Sequence, residues 1–531
     1  MAASAALLFH YRAGLNFMLD DWAFVIGRED GNIGDFLDPH NEHISVIPVA
    51  IYKVFLAVFG MGSPWPLHIF SLALFMLAVG VLFFYLKPLS GEPLALLGCA
   101  VILFLGSAWE DLLWIFQLGF SISLASGLGA LIMLRRQDRK GDRLACLLLV
   151  VCILSTSLGI PFMAGATVDL LLRREGFRKF LSRIWIVAVP AAVYAAWWLG
   201  WGHTAESGLS AHNAAGAPKY VFEAFRLNVG ILTGAFKVDG AKGIDLMRFL
   251  AVVLVAGTGF WLYRRRRLPK PLLVAIAIGL AFWGLAALNQ IPGREFNASR
   301  YLLPGAIFVL MMLGGALDGY RVRLRYVGAV AAVAAVAVAT NIHAMSGGYN
   351  DVFKPLSDKG IAGLTALDIA RLGDEPAAFV GVNYNDTALI DSREYYDAEA
   401  KYGSPAWDSG EIEDSTDAAR QKIDQTLLAA LPVTSKVKGT GTPTGSCVKA
   451  KAAPKGSATL PVPGGRFAVR PRVNVFISMQ RYADEGVLSL LDAEGGKTTI
   501  VTVPKDNSAL PWRVGFLGTG PVALCHTARN P

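Results

Sequence analysis

Charge is what this sequence has least of. Only 17% of its 531 residues are Asp, Glu, Lys or Arg, against about a quarter in a soluble globular chain, and its mean hydropathy is +0.45. Cysteine is scarce too: there are five, with no C-x-x-C pair and no metal-finger spacing, which excludes a zinc-ribbon framework. The H-E-x-x-H signature of helical zinc sites is missing, and so is any internal repeat. The formal charge of +8 sits mostly in short basic clusters between apolar runs, the pattern of membrane topology signals. Nucleic-acid binding is therefore a poor explanation of it.

Long apolar runs are present instead. Candidate spans fall at about 65–87, 92–108, 116–135, 143–159, 160–172, 183–201, 246–263, 271–288, 301–317 and 326–344, several approaching the ~20 residues that cross a bilayer. Residues 2–9 are read as the outer end of a further membrane helix, with a cleaved signal peptide as the alternative. The expected fold is thus an α-helical polytopic membrane protein of about eleven transmembrane helices. The basic stretches 135–143, 172–183, 264–270 and 321–325 all fall on one side when these spans are counted, and are assigned to the cytoplasm. Residues 10–64, 109–115, 202–245, 289–300 and everything after 345 are then extracytoplasmic, and 44–60 lies along the membrane surface. The expected location is the plasma (inner) membrane, multi-pass.

Near residue 345 the composition turns to Gly, Pro, Thr, Asp and Lys, with no further span. The predicted domains are a transmembrane region, 1–345; a mixed extracytoplasmic linker region, 346–445; and a β-rich extracytoplasmic domain, 446–531. In the last, 467–480, 486–492, 497–504 and 513–525 have strand-like composition between Gly, Pro and Asp turns, as in a β-sandwich. A helical stretch is expected near 412–431 and a Gly/Thr/Pro-rich linker at 438–446. Cys99, Cys146 and Cys152 lie in apolar runs as small core residues, whereas Cys447 and Cys525 lie in the polar tail. If that tail is outside the cytoplasm, a disulfide between them is the simplest expectation.

Four groups of residues could carry chemistry. Between Asp20 and His43 there are seven carboxylates against one arginine. Asp20 and Asp21 precede Trp22 at the end of an apolar segment, where a carboxylate can take a proton from a hydroxyl brought to the membrane face; acids merely flanking a membrane segment are the plain alternative. His40-Asn41-Glu42-His43 could contact sugar, phosphate or a proton, could hold a divalent metal through Glu42 and His43, or could be a polar turn. Glu110 and Asp111 follow Trp109, a pairing that suits sugar hydroxyls and a membrane interface equally. Arg294 and Arg300, with Tyr301 beside them, sit in a loop assigned to the outer face, against the positive-inside trend. Guanidinium binds phosphate bidentately and stays charged, although headgroup snorkelling would also place arginine there.

Together, Asp20-Asp21-Trp22 after a first helix, the H-x-E-H element at 40–43 before a surface helix, and Ser299-Arg300-Tyr301 entering a late helix resemble the GT-C membrane glycosyltransferases. The nearest are bacterial family-39-like or arabinofuranosyltransferase-like enzymes, and the resemblance covers residues 1–345. It implies a polyprenyl-phosphate sugar donor, a glycan or glycolipid acceptor, a first-loop Asp (Asp20 or Asp21) as base, and inversion at the anomeric carbon. Arg300, Tyr301 and Arg294 would then meet the donor phosphate, and His40, Glu42, His43, Glu110 and Asp111 the sugars or a divalent ion. A transporter or flippase of lipid-linked saccharide is the alternative. That reading favours ionisable residues at midplane depth, whereas here they gather at the ends of the spans.

Overall fold

The computed structural model describes residues 1–28, 31–173, 177–205, 207–237, 240–320, 322–371, 381–385, 388–439, 446–454, 456, 459–462, 465–484 and 491–526. The chain divides into two compact units. One comprises Met1–Gly14, Asp30–Phe55 and Trp65–Phe353; the other comprises Leu15–Glu29, Leu56–Pro64 and Lys354–Pro531.

The first unit is helical. Among the described residues of the chain, seven runs are long and apolar enough to cross a bilayer: Trp65–Ser90, Glu92–Leu113, Ile115–Leu134, Ala241–Arg265, Lys270–Leu288, Ser299–Ala316 and Leu324–Ala370. The apolar part of the last is the Leu324–Gly347 helix. Several of these helices turn large apolar side chains outward, as Phe249, Val255 and Phe260 do from the Ala241–Arg265 helix. Surfaces of that kind are stable only against an apolar medium, so the helices mark a membrane protein.

The count of about eleven spans is not confirmed among the described residues. Gly159–Leu171 and Trp185–Gly200 are apolar helices of 13 and 16 residues, shorter than the seven. Arg139–Ser155 has 17 residues and opens on a charged turn, with Asp138 as its N-cap accepting from Gly141 N–H. The chain leaves this helix at Thr156, whose backbone is fully extended, and its hydroxyl accepts from Leu158 N–H at 3.2 Å. That local bond competes with the helical ladder and separates the two elements. The segment expected on the membrane surface contains the Val46–Phe59 helix, and residues 2–9 belong to the helix Ala2–Arg12.

One long element had no apolar signal. The loop expected at 202–245 contains the 23-residue helix Ala211–Thr233, capped by the Ser210 hydroxyl at Asn213 N–H and ended at Gly234 in the left-handed region. Its buried face includes Tyr220, Glu223, Arg226 and Asn228, too polar to read as a span. It packs against Lys270–Leu288 and Leu302–Ala316.

In the second unit the helix Lys354–Ala370 packs on Asp417–Ala430, and strands β1 (Gly381–Asn385) and β2 (Ala388–Asp391) form an antiparallel hairpin. Two further antiparallel sheets follow, built from β3 (Thr434–Val437), β4 (Cys447–Ala452), β5 (Leu460–Val462), β6 (Gly465–Pro471), β7 (Val475–Gln480), β8 (Leu491–Ala493), β9 (Thr499–Val503), β10 (Trp512–Gly518) and β11 (Gly520–His526). Their orders are β5-β10-β7-β8 and β3-β9-β6-β11-β4. Alternate residues such as Val501 and Val503 on β9 and Val514 and Phe516 on β10 point inward and form the buried core, the period-2 pattern of a half-buried strand. β3 pairs with β9, so the sheet begins at Thr434, ahead of 446. Asp424 is fully buried and its carboxylate accepts from the N–H groups of Arg481, Tyr482 and Ala483, tying the Asp417–Ala430 helix to the end of β7. Cys447 and Cys525 stand opposite each other on β4 and β11 and are joined by a disulfide. Cys99, Cys146 and Cys152 are buried and unlinked. Most of the linker expected at 438–446, and 486–490 of one expected strand, lie outside the described residues.

Candidate functional site

The His40–His43 segment is a tight turn. His40 N–H donates to His43 C=O at 3.1 Å and His43 N–H returns a bond to His40 C=O at 3.0 Å. Asn41 takes φ +53°, a conformation that a short polar side chain accepts more readily than most. The polar-turn reading and the contact reading are thus compatible, because the turn presents Glu42 at its tip. The His40 ring packs at 4.9 Å on Phe116.

Glu42 Oε2 pairs with Arg294 Nη1 at 2.5 Å, and Glu42 Oε1 lies 3.7 Å from His43 Nε2. Arg294 is delivered by a turn of its own. Its N–H bonds to Ile291 C=O at 2.9 Å across Pro292-Gly293, with Gly293 at φ +84°, the residue pair and backbone of a type II turn. The buried Tyr220 adds a hydroxyl bond to Arg294 C=O at 3.3 Å.

A second pair lies on the same side of the unit. Arg300 Nη1 is 3.3 Å from Glu110 Oε2, and its Nη2 donates to Gly293 C=O. Ser299 clasps the two segments: it accepts from Glu110 N–H at 3.2 Å and donates to Ser107 C=O at 2.9 Å. Asp111 is buried at 2% exposure. Neither of its oxygens closes a full-geometry hydrogen bond among the described residues. The Leu303 N–H, in the first turn of the Leu302–Ala316 helix, supplies a looser polar contact, with Glu110 and Arg300 as its charged neighbours.

Beside Glu42, His43 and Tyr301 a cavity of about 260 Å³ opens within the first unit. Phe120, Tyr194, Trp198 and Phe282 give it aromatic walls, and Thr156, Ser157, Asn289 and His203 supply polar groups. Its shape follows from local chain chemistry. The break in helix at Thr156 turns Thr156 and Ser157 toward it, and Trp197 is pinned by donation from its Nε1 to Leu37 C=O at 2.7 Å. His203 Nδ1 contacts Trp198 C=O at 3.2 Å. His43 Nδ1 is buried and makes no hydrogen bond among the described residues. Burial holds the His43 pKa below the usual imidazole value. Glu42 opposes that shift, and Arg294, His40 and Arg300 add to it. A neutral imidazole follows at neutral pH, able both to donate and to accept.

The structure therefore gathers Glu42, His43, Arg294 and Tyr301 with Arg300, Glu110 and Asp111 as neighbours in the first unit. Asp20 and Asp21 belong to the second unit. Asp21 is fully buried and accepts from Met18 N–H at 2.9 Å, a bond that closes the turn into the helix Asp21–Val25. Asp20 is partly exposed. Glu42 and His43 meet no third donor: no group of three or more His, Cys, Asp or Glu converges among the described residues, and Arg294 already engages Glu42. Tyr194, Trp198, His203, Asn289, Thr156 and Ser157 were not anticipated. The aromatic run with a terminal histidine at 194–203 was the available signal, and it reads first as membrane-interface residues. No protein-family model matches the chain, and no curated protein matches it.

Proposed function

We propose that this protein is a membrane glycosyltransferase that moves a sugar from a polyprenyl-phosphate donor to a cell-envelope glycan or lipid-linked acceptor at the extracytoplasmic face, with inversion. The single observation that carries the reading is the cavity itself. Aromatic faces, hydroxyls, an amide and a neutral imidazole converge there with a carboxylate–guanidinium pair, a set that suits a polyhydroxylated ring. The apolar helices beside it suit a lipid-linked rather than a soluble donor. Topology in this reading is the eleven-segment one, with the shorter helices completing the bundle and the C-terminal unit outside the cell.

In the proposed reaction an acceptor hydroxyl attacks the anomeric carbon, the bond to the polyprenyl phosphate breaks, and a carboxylate accepts the hydroxyl proton. Asp20, the more exposed of the Asp20–Asp21 pair, is assigned as that base. Arg300 and Arg294, with Tyr301, offset the charge that grows on the departing phosphate. Glu42 and His43 orient sugar hydroxyls. Each arginine already faces a glutamate, so arriving phosphate would share or displace a carboxylate partner.

The test is incubation of the purified protein, reconstituted in lipid, with a panel of polyprenyl-phosphate sugars. Release of polyprenyl phosphate that requires an acceptor supports the reading. Movement of intact lipid-linked saccharide between leaflets without release would support the flippase alternative and sink this one.

A further inference from the structure

We propose that the outward face of the five-stranded sheet in the second unit docks on a bilayer surface of anionic phospholipid. The register decides which side chains share that face. Across one row, Lys449 on β4 stands opposite Ala523 on β11, which stands opposite Arg470 on β6. In the next row Lys451 faces Pro521, and Arg472, just past β6, bonds by its N–H to Pro521 C=O at 3.2 Å. At the other end Arg466 faces Thr502, and Lys436 on β3 faces Ile500. All six are exposed except Arg470, which is half-buried.

The remaining residues on these rows are small, apolar or hydroxylic: Thr434, Ala468, Ile500, Thr502, Pro521 and Ala523, with the Cys447–Cys525 disulfide between them. No Asp or Glu occupies an outward position on any of the five strands. Among the described residues, Glu494 in the turn before β9 is paired at 2.6 Å with Lys497. The opposing sheet lacks this bias and carries Asp492 on β8.

The geometry favours a surface over a chain. Five strands set about 5 Å apart spread the six cations over roughly 20 Å, with rows about 7 Å apart along the strands. That is a two-dimensional array without a groove, matched to a field of headgroup phosphates rather than to one linear polyanion. The rows hold no aromatic ring on which a sugar could stack, which argues against selective glycan recognition. In a chain whose other unit carries membrane-length helices, an anionic surface is also close at hand, and basic clusters are drawn to it within a Debye length.

The test uses the full-length protein in nanodiscs of phosphatidylcholine alone or with one-third phosphatidylglycerol. Amine acetylation at Lys436, Lys449 and Lys451 is read by mass spectrometry against Lys401 as internal reference. Several-fold slower labelling in the anionic discs, restored by high salt, is the expected result. Equal rates in the two lipids would overturn the proposal. So would slowing caused only by an added soluble acidic polysaccharide, which would reassign the face to a polymer. In a Lys449→Gln, Lys451→Gln, Arg470→Gln variant, the lipid effect at Lys436 should vanish while hydrogen exchange in β7 and β10 stays unchanged. Persistence of the effect would place the lipid contact elsewhere and overturn the assignment.

Discussion

Arg294 and Glu42 meet at 2.5 Å with side chains only 13 and 20% exposed, so each is the other's main answer to the loss of water. Removing one partner strands a mostly buried charge. Arg294→Ala should lower stability by about 1–3 kcal/mol, less than a fully buried pair would lose, because solvent still reaches both groups. The double variant Glu42→Gln, Arg294→Met should recover part of that loss. Thermal unfolding of the four forms measures the coupling, and strictly additive losses would show that the pair does not act as a unit.

His43 makes the site sensitive to acid. Burial leads the causes that depress its pKa, so the folded protein binds this proton less readily than the unfolded chain does. The sign follows directly: above the unfolded imidazole value, near pH 6.5, the difference contributes nothing, and below it the unfolded chain takes up the proton first. Stability should therefore fall as pH drops from about 6.5 toward the lower folded value. His43→Gln should flatten that part of the curve, as measured by melting temperature between pH 7 and 5. An unchanged slope in the variant would assign the acid sensitivity to another group.

How much of this was legible beforehand depended on the residue. Glu42, His43, Arg294, Arg300 and Tyr301 stood out because charge at the end of an apolar run is costly and therefore conspicuous. Their pairing was not readable, because Glu42 and Arg294 are brought together only by tertiary packing. Tyr194 and Trp198 were hidden by chemistry they share with interfacial aromatics. The Ala211–Thr233 helix was hidden because its buried face carries Glu223 and Arg226, which satisfy each other and so need no apolar pattern. The division between the spans expected at 143–159 and 160–172 was legible, and it falls at Thr156, whose hydroxyl meets Leu158 N–H and the Ser123 hydroxyl.

Gly106 offers a packing test close to the site. A methyl group there would meet Asn341 C=O at 2.0 Å and Met345 Cβ at 2.5 Å, both on the Leu324–Gly347 helix. Backbone cannot yield as a side-chain tip can, so Gly106→Ala should push this segment off the helix and shift Ser107 and Glu110 with it. A loss of melting temperature together with loss of transfer is expected. Gly80→Ala, where nothing stands within 4 Å, serves as the control that should change neither.

The Cys447–Cys525 bridge closes a loop across 78 residues of sequence. In the chain-entropy account a closure of that length stabilises by roughly 4 kcal/mol. Reduction, or Cys447→Ser with Cys525→Ser, should lower the unfolding temperature of the β-rich part and open 446–526 to proteolysis. The helical transition should stay in place. Equal protease resistance with and without the bridge would show that β4 and β11 hold by their ladder alone.

Asp20 and Asp21 are neighbours that should fail in different ways. Asp21 is fully buried and holds Met18 N–H at 2.9 Å, so Asp21→Ala leaves that donor unanswered and should cost about 1–3 kcal/mol of stability. Asp21→Asn retains an acceptor oxygen and should lose less. Asp20 is partly exposed, and the proposed reaction asks it for a proton-accepting carboxylate, which an amide cannot supply. Asp20→Asn should therefore abolish transfer with no change in melting temperature, while Asp21→Asn keeps most of it. Release of polyprenyl phosphate and thermal unfolding, measured on the same preparations, separate the two roles. Full transfer by Asp20→Asn would remove it as the base and leave Glu42, Glu110 and Asp111 as the carboxylates to test next.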